Sequence, residues 1–214
     1  MSFKLPDPFD KRRDEQAITR RMVEVKAQVK DLLDAGWEVY AADEVRLEHE
    51  TESRRTWLPR GQRTKLSVNR QKTAQSFFGA LSLTRKKVKL YPIEGNQNTE
   101  QIIGALDRLQ RETRTEKIAV VPGGARFHHA KMLTGLYEPG RLLERITPVH
   151  LPPYAPDHNP VEHVWNAAKS NIANIQRETP EETFGAFASY VTGRSFDYDF
   201  ERLPLREIRN DFVS

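Results

Sequence analysis

The chain has 214 residues, enough to bury a real core, and one domain is the default count for that length. Charged residues make up 30% and apolar residues 37%, a hydrophilic but globular balance with a net charge of +4. There is no cysteine, no apolar run of membrane-span length and no basic-then-apolar leader, which excludes disulfides, thiolate metal sites and cysteine nucleophiles, and makes a soluble intracellular protein without a membrane partner the expectation.

Residues 1–10 hold two prolines and no periodicity, as in an extended arm. From 14 to 35, Ile18, Met22, Val25, Val29, Leu32 and Leu33 recur at helical spacing, and Gly36 is a natural terminator. Residues 37–47 read as a strand with Asp43 inside it. An acid there is either an edge residue facing solvent or a buried one that needs a partner or a metal. The stretch 49–73 is polar, basic and turn-rich, with a hairpin expected over 56–61 and Trp57 expected in the core or on a sheet face. A strand pair follows within 75–92, its two arms at 77–81 and 88–91, with Arg85, Lys86 and Lys87 at the bend.

Asn98 and Thr99 can cap a helix to about 113 that buries Ile102, Ile103, Leu106 and Leu109. Residues 117–121 form a continuous apolar run, as in a central strand covered on both faces. A helix is expected over 130–137. Residues 145–150 read as an edge strand, because Pro148 cannot donate to an interior ladder. Pro152, Pro153 and Pro156 then stiffen a loop that ends at Asn159, a good N-cap, and Pro160 falls at the first helical position. Val161, Val164, Trp165 and Ala168 continue as one apolar stripe to about 174, and the aromatic tail from 179 packs back on the domain. Three strands followed by strand–helix alternation predict a mixed sheet flanked by helices. The chain divides into an arm and helix (1–35), a central domain (36–178) and a helical tail (179–214).

Glu162 lies in the first turn of the helix that starts at Pro160, held between a stiff loop and a packed stripe. It either serves the helix dipole or is a carboxylate aimed at a site. Leu151, Pro152, Tyr154, Pro156, Asn159, Pro160, Glu162, Trp165 and Lys169 together resemble the signature of DDE transposases of the mariner-like superfamily, in particular its bacterial insertion-sequence branch. The resemblance covers roughly residues 30–175 and implies an α/β RNase H-like fold. It also implies metal-dependent cleavage and transfer of DNA strands, transposon ends and target DNA as partners, a homodimer, and a bacterial cytoplasmic, nucleoid-associated setting. Asp43 matches the family's first catalytic and metal-binding acid, and Glu162 its last.

The second acid of the family follows the strand at 117–121, and there this sequence departs. Residues 125–130 fall in register with the family motif, which places Gly123 at the aspartate and leaves Asp43 and Glu162 as the only ligands for Mg²⁺ or Mn²⁺, a weakened site. Asp157, Glu44 and His128 are poor substitutes. Asp157 is not the family's central ligand, Glu44 points away if Asp43 points in, and imidazole suits Mg²⁺ badly. Cations crowd two regions, and Arg54, Arg55, Arg60, Arg63, Lys65, Arg85, Lys86 and Lys87, with Lys169, are the candidate DNA contacts. The resemblance would place a helix-turn-helix region ahead of this domain, for which no room is expected here, so a truncated or degenerate copy, or one half of a split reading frame, is the expectation. Three functional alternatives stay open: an impaired DDE transposase domain, a non-catalytic DNA-binding or dimerising relic, and a metal-independent nuclease using His128 or His129 as base.

Overall fold

The computed structural model describes residues 11–55, 57–58, 60–61, 65–70, 72–95, 97–123 and 131–201. Helix α1 (Glu15–Asp34) begins where the Asp14 carboxylate accepts from the N–H groups of Gln16 and Ala17, and it buries Ile18, Met22, Val25 and Val29. Strands β1 (Glu38–Glu48), β2 (Ala74–Ser82) and β3 (Val88–Ile93) form an antiparallel meander. Helix α2 (Thr99–Glu112), capped by Asn98, leads into β4 (Ile118–Pro122). The short α3 (Lys131–Thr134) runs into a 3₁₀ turn at Gly135–Tyr137, and β5 (Ile146–Pro148), α4 (Pro160–Ile172) and α5 (Pro180–Thr192) complete the order.

The sheet order is β3-β2-β1-β4-β5, with β4 parallel to β1 and β5 parallel to β4. This five-stranded mixed sheet flanked by helices is the α/β RNase H-like fold that the sequence implies. Pro148 sits on the edge strand, where its missing N–H costs no ladder bond. Arg145 donates to the carbonyls of Gln110, Thr113 and Thr115, so one guanidinium both closes the carboxyl end of α2 and fastens β5 to the turn before β4.

Strand alternation sorts the core into two layers. Val39, Ala41, Val45 and Leu47 of β1, with Ala119 and Val121 of β4, face α1, α4 and α5. Tyr40 and Ala42, with Ile118 and Val120, face α2 on the other side. The tail residues Phe196 and Phe200 join the first layer. Two expectations change. The helix expected over 130–137 is one α turn followed by a 3₁₀ turn within the described residues. Trp57 is 84% exposed and belongs to neither core nor sheet face, because the β1–β2 ladder begins only at Glu48 and Ala74 and leaves the intervening stretch outside it. The hairpin expected at 56–61 falls partly outside the described residues.

One close approach sets the spacing of the first layer. A Cβ on Gly79 of β2 would lie 2.2 Å from the Trp165 indole of α4, so the ring occupies space that any side chain at 79 would fill. Trp165 is 2% exposed, and its ring centroid lies 6.0 Å from that of Phe187. Replacing Gly79 with alanine is expected to push α4 off the sheet and to cost about 1–3 kcal/mol, read as a lower midpoint in urea with an unchanged slope.

Candidate active site

Parallel pairing brings Ala42 of β1 level with Pro122 of β4, so the next residues, Asp43 and Gly123, lie side by side where β4 ends and β1 runs on beside β2 alone. Odd-numbered residues of both strands face α1, α4 and α5, and Asp43 and Gly123 share that parity, whereas Glu44 lies on the α2 side. The Gly123 N–H donates to the Ala42 carbonyl at 2.8 Å. A Cβ built on Gly123 would meet Asp43 Oδ1 at 2.2 Å and Cγ at 2.5 Å. The Asp43 carboxyl therefore lies over the backbone of Gly123, in the volume where a side chain at that position would begin.

Glu162 reaches the same place from α4, and the reason is local. Asn159, fully buried, does two things with one amide: its oxygen accepts from the Val161 N–H as the helix N-cap, and its Nδ2 donates to the Ala42 carbonyl at 3.2 Å. Pro160 then enters the first turn without an N–H to satisfy. The helix start is thus fastened to the residue before Asp43, and Glu162, two residues beyond Pro160, hydrogen-bonds the Asp43 carboxyl. Burial, then the Glu162 charge and this hydrogen bond, hold the Asp43 carboxyl well above its ordinary value of 3.8. The residue as a whole keeps some contact with solvent, but its carboxyl is enclosed by neighbouring groups.

The other candidates separate. Asp157 is held by Arg13, whose Nη1 and Nη2 bind its two oxygens at 2.5 and 3.0 Å, and this pairing keeps the Asp157 carboxyl below the usual range. It does not fill the place of a third acid. His128 and His129 lie outside the described residues, as does Arg63. Among the described residues, no group of three or more His, Asp or Glu side chains is arranged to hold a metal ion. Asp43 and Glu162 offer oxygen donors of the kind Mg²⁺ and Mn²⁺ prefer, but two carboxylates leave a two-ion site short of ligands. The described residues do not fit a two-metal centre.

The cations are also dispersed. Arg55, Arg60 and Lys65 are exposed on the β1–β2 connection. Arg54 is already engaged, with Nη1 at 2.6 Å from Ser170 Oγ of α4 and Nη2 at 3.0 Å from Glu52. Lys169 lines a cavity of about 290 Å³ together with Glu48, Glu50 and Glu52, a poor surface for a polyanion. The bend at 85–87 lies beside Glu38, five residues back along β1 from Asp43 and so roughly 16 Å away. There Lys86 pairs with Asp197 and Asp199 of the tail, Arg85 approaches Glu38 at 3.6 Å, and Lys87 is exposed. Asn159 shows in the sequence only as a cap. Its bond to Ala42, and the grip of Arg13 on Asp157 across 144 positions, leave no local signal.

An acid on the central strand β1, level with the end of β4 and met by a second acid from α4, defines the class of site in this RNase H-like sheet. The model of the DDE superfamily endonuclease family matches residues 38–183, and the chain belongs to that family. Among solved structures, the chain is similar to the mariner Mos1 paired-end complex with Mg, at a TM-score of 0.65 and 14% identity over 94% of this chain and 62% of that one. It is likewise similar to the Mos1 strand transfer complex, at a TM-score of 0.64 and 14% identity over 91% of this chain and 59% of the other. The catalytic domain of Mos1 mariner transposase matches with a TM-score of 0.51 and 13% identity over 92% and 90%. At these identities the likeness is one of fold, and the chain spans about three fifths of the length of the paired-end and strand-transfer chains. No curated protein sequence matches.

Two measurements probe the acid pair and its anchor. A carboxyl whose folded value is raised holds a proton that the unfolded chain has already lost, so stability falls as pH rises from about 3.8 through the elevated folded value. Asp43→Asn removes that term, and thermal melts are expected to show a flatter pH dependence with a gain of roughly 0.5–2 kcal/mol at neutral pH. Asn159→Ala acts in the opposite direction. It removes both the cap and the bond to Ala42 and is expected to cost about 1–3 kcal/mol in denaturant titration.

Proposed function

We propose that this chain is a DDE transposase domain of the mariner-like superfamily that acts on transposon DNA and whose metal-dependent strand cleavage is crippled by Gly123. The observation that carries the reading is the position of Gly123. It emerges beside Asp43, on the face that Glu162 approaches, where a carboxylate would complete a cluster of three. Family membership and the RNase H-like fold supply the reaction class, and solved relatives in this fold include Mos1 complexes with Mg and with Mn. Asp43 and Glu162 are the residues that would bind a divalent ion, and no catalytic step is derived through one, because the described ligand set is too small.

DNA binding is the part of the activity that the missing acid does not touch. Arg55, Arg60 and Lys65, exposed on the connection between β1 and β2, support a role for that stretch against a phosphate backbone, by counterion release. Arg54 contributes by holding the connection to α4 rather than as a free cation. The relic reading and the impaired-enzyme reading therefore share a DNA surface and differ only in whether any cleavage survives the absence of an acid at 123.

The test is nicking of supercoiled DNA in Mn²⁺, with and without chelator, by the unmodified chain and by Gly123→Asp. The substituted chain needs Asp43 to swing off the backbone of residue 123, which the ion itself would favour by drawing both carboxylates toward it. Nicking by Gly123→Asp is expected to exceed that of the unmodified chain by at least about a hundredfold and to vanish with chelator. Equal, chelator-sensitive nicking by the unmodified chain would remove Gly123 as the cause of impairment, and chelator-resistant nicking would favour the histidine-dependent alternative.

A further inference from the structure

The loop between β5 and α4 is fastened from outside by the beginning of α1, and the contacts converge on one residue. Arg13 grips both oxygens of Asp157, donates to the Tyr154 carbonyl at 3.2 Å, and is itself held by Glu15 at 2.5 Å; its side chain is only 14% exposed. Arg12 lies over the Tyr154 ring, 4.6 Å from its centroid, and Arg21 reaches the His150 carbonyl at 3.5 Å. Tyr154 has a φ of 60°, a left-handed conformation that costs a tyrosine energy and persists only where neighbours impose it. The loop passes its constraint directly to α4. The Asp157 carbonyl meets His163 Nε2 at 3.1 Å, and the 3₁₀ turn Pro156–His158 ends at Asn159, the residue that caps the helix carrying Glu162.

We propose that Arg13 is a positioning residue for Glu162: by fixing Asp157 and Tyr154 it sets the loop from which α4 starts, so that the entry to α1 and the acid pair are held as one unit. The inference rests on the reading of Glu162 as a ligand position. A bidentate fork explains why arginine stands there, since lysine could satisfy only one oxygen of Asp157 at a time. Asn159 and Trp165 fix the depth of α4 against the sheet, and the Arg13 contacts fix the loop that feeds it. Loosening them leaves the core intact and lets the first turn of α4 open locally.

The test is amide hydrogen exchange on the full chain, comparing Arg13→Ala, Arg13→Lys, Asp157→Ala and the exchanged pair Arg13→Asp with Asp157→Arg. Arg13→Ala and Asp157→Ala are each expected to speed exchange at 161–164 roughly tenfold or more while amides of α2 and β4 stay as protected as before. Combining the two should add little to either alone, Arg13→Lys should remain defective, and the exchanged pair should recover part of the protection. Acceleration spread evenly over α2, β4 and α4, or none at 161–164, overturns the proposal. Adding Arg13→Ala to Gly123→Asp separates the two claims. If exchange at 161–164 responds but Gly123→Asp never nicks DNA, the cleavage reading falls and the positioning role stands. If Gly123→Asp nicks and Arg13→Ala lowers neither protection at 161–164 nor nicking, the positioning role falls alone.

Discussion

The contact on which this architecture depends is the Trp165 indole lying against the bare backbone of Gly79. Gly79 is the register partner of Asp43, so the helix makes its closest approach to the sheet directly across the β1–β2 ladder from the first acid. Glu162 is three residues before Trp165, less than one turn away, and a short side chain at the start of a helix reaches a strand only if that helix lies close. A larger residue at 79 would lift α4 and draw Glu162 away from Asp43. Core packing and site geometry are the same constraint here, seen from two ends of one helical turn.

Around that contact the polar ties form a hierarchy. The Ala42 carbonyl receives two donors, the Gly123 N–H and the Asn159 amide, so β1, β4 and α4 meet on a single oxygen immediately before Asp43. Buried polar groups of this kind are costly when half satisfied and stiffening when fully satisfied. Outside them the Arg13 fork restrains the proline loop. The result is a carboxyl pair held together although both partners are acids, and burial with the Glu162 charge raises the Asp43 carboxyl well above its ordinary value. In a complete three-acid cluster a divalent ion would offset the repulsion between the carboxylates. Without a carboxylate at 123, Asp43 lies over the glycine backbone, and its carboxyl is held well above its ordinary value by burial and by the Glu162 charge.

The distribution of charge follows similar logic. The basic bend at 85–87 lies beside the start of β1, five residues back from Asp43, and there the tail acids Asp197 and Asp199 pair with Lys86 and the buried Glu38 faces Arg85. It acts as a clasp between the β2–β3 bend and the C-terminal tail, reinforced by the Phe196 N–H donating to the Lys86 carbonyl. The β1–β2 connection instead carries Arg55, Arg60 and Lys65 exposed, beside the exposed Trp57. A run of cations in sequence is thus split by the fold into a structural set and a solvent-facing set.

What the sequence determined by itself is whatever depends on local physics. The caps Asn98 and Asn159, the apolar stripes of α1, α2 and α4, the run of β4 and the edge placement of Pro148 are each fixed by neighbours within a few positions, and α1, α2, α4, β1 and β4 appear within a residue or two of where those signals put them. The motif around Glu162 identified the family for the same reason, because its prolines and cap are contiguous. Only the tertiary structure decided the rest. It placed Trp57 in solvent, since nothing in a tryptophan codon neighbourhood says whether a ladder will pair beside it. It assigned Arg54, Lys86 and Asp157 to partners more than a hundred residues away, and put the Asp43 carboxyl over Gly123. Those outcomes depend on distances between elements, and such distances are set when strands pair and helices dock, by close approaches such as Trp165 on Gly79 that no local pattern encodes.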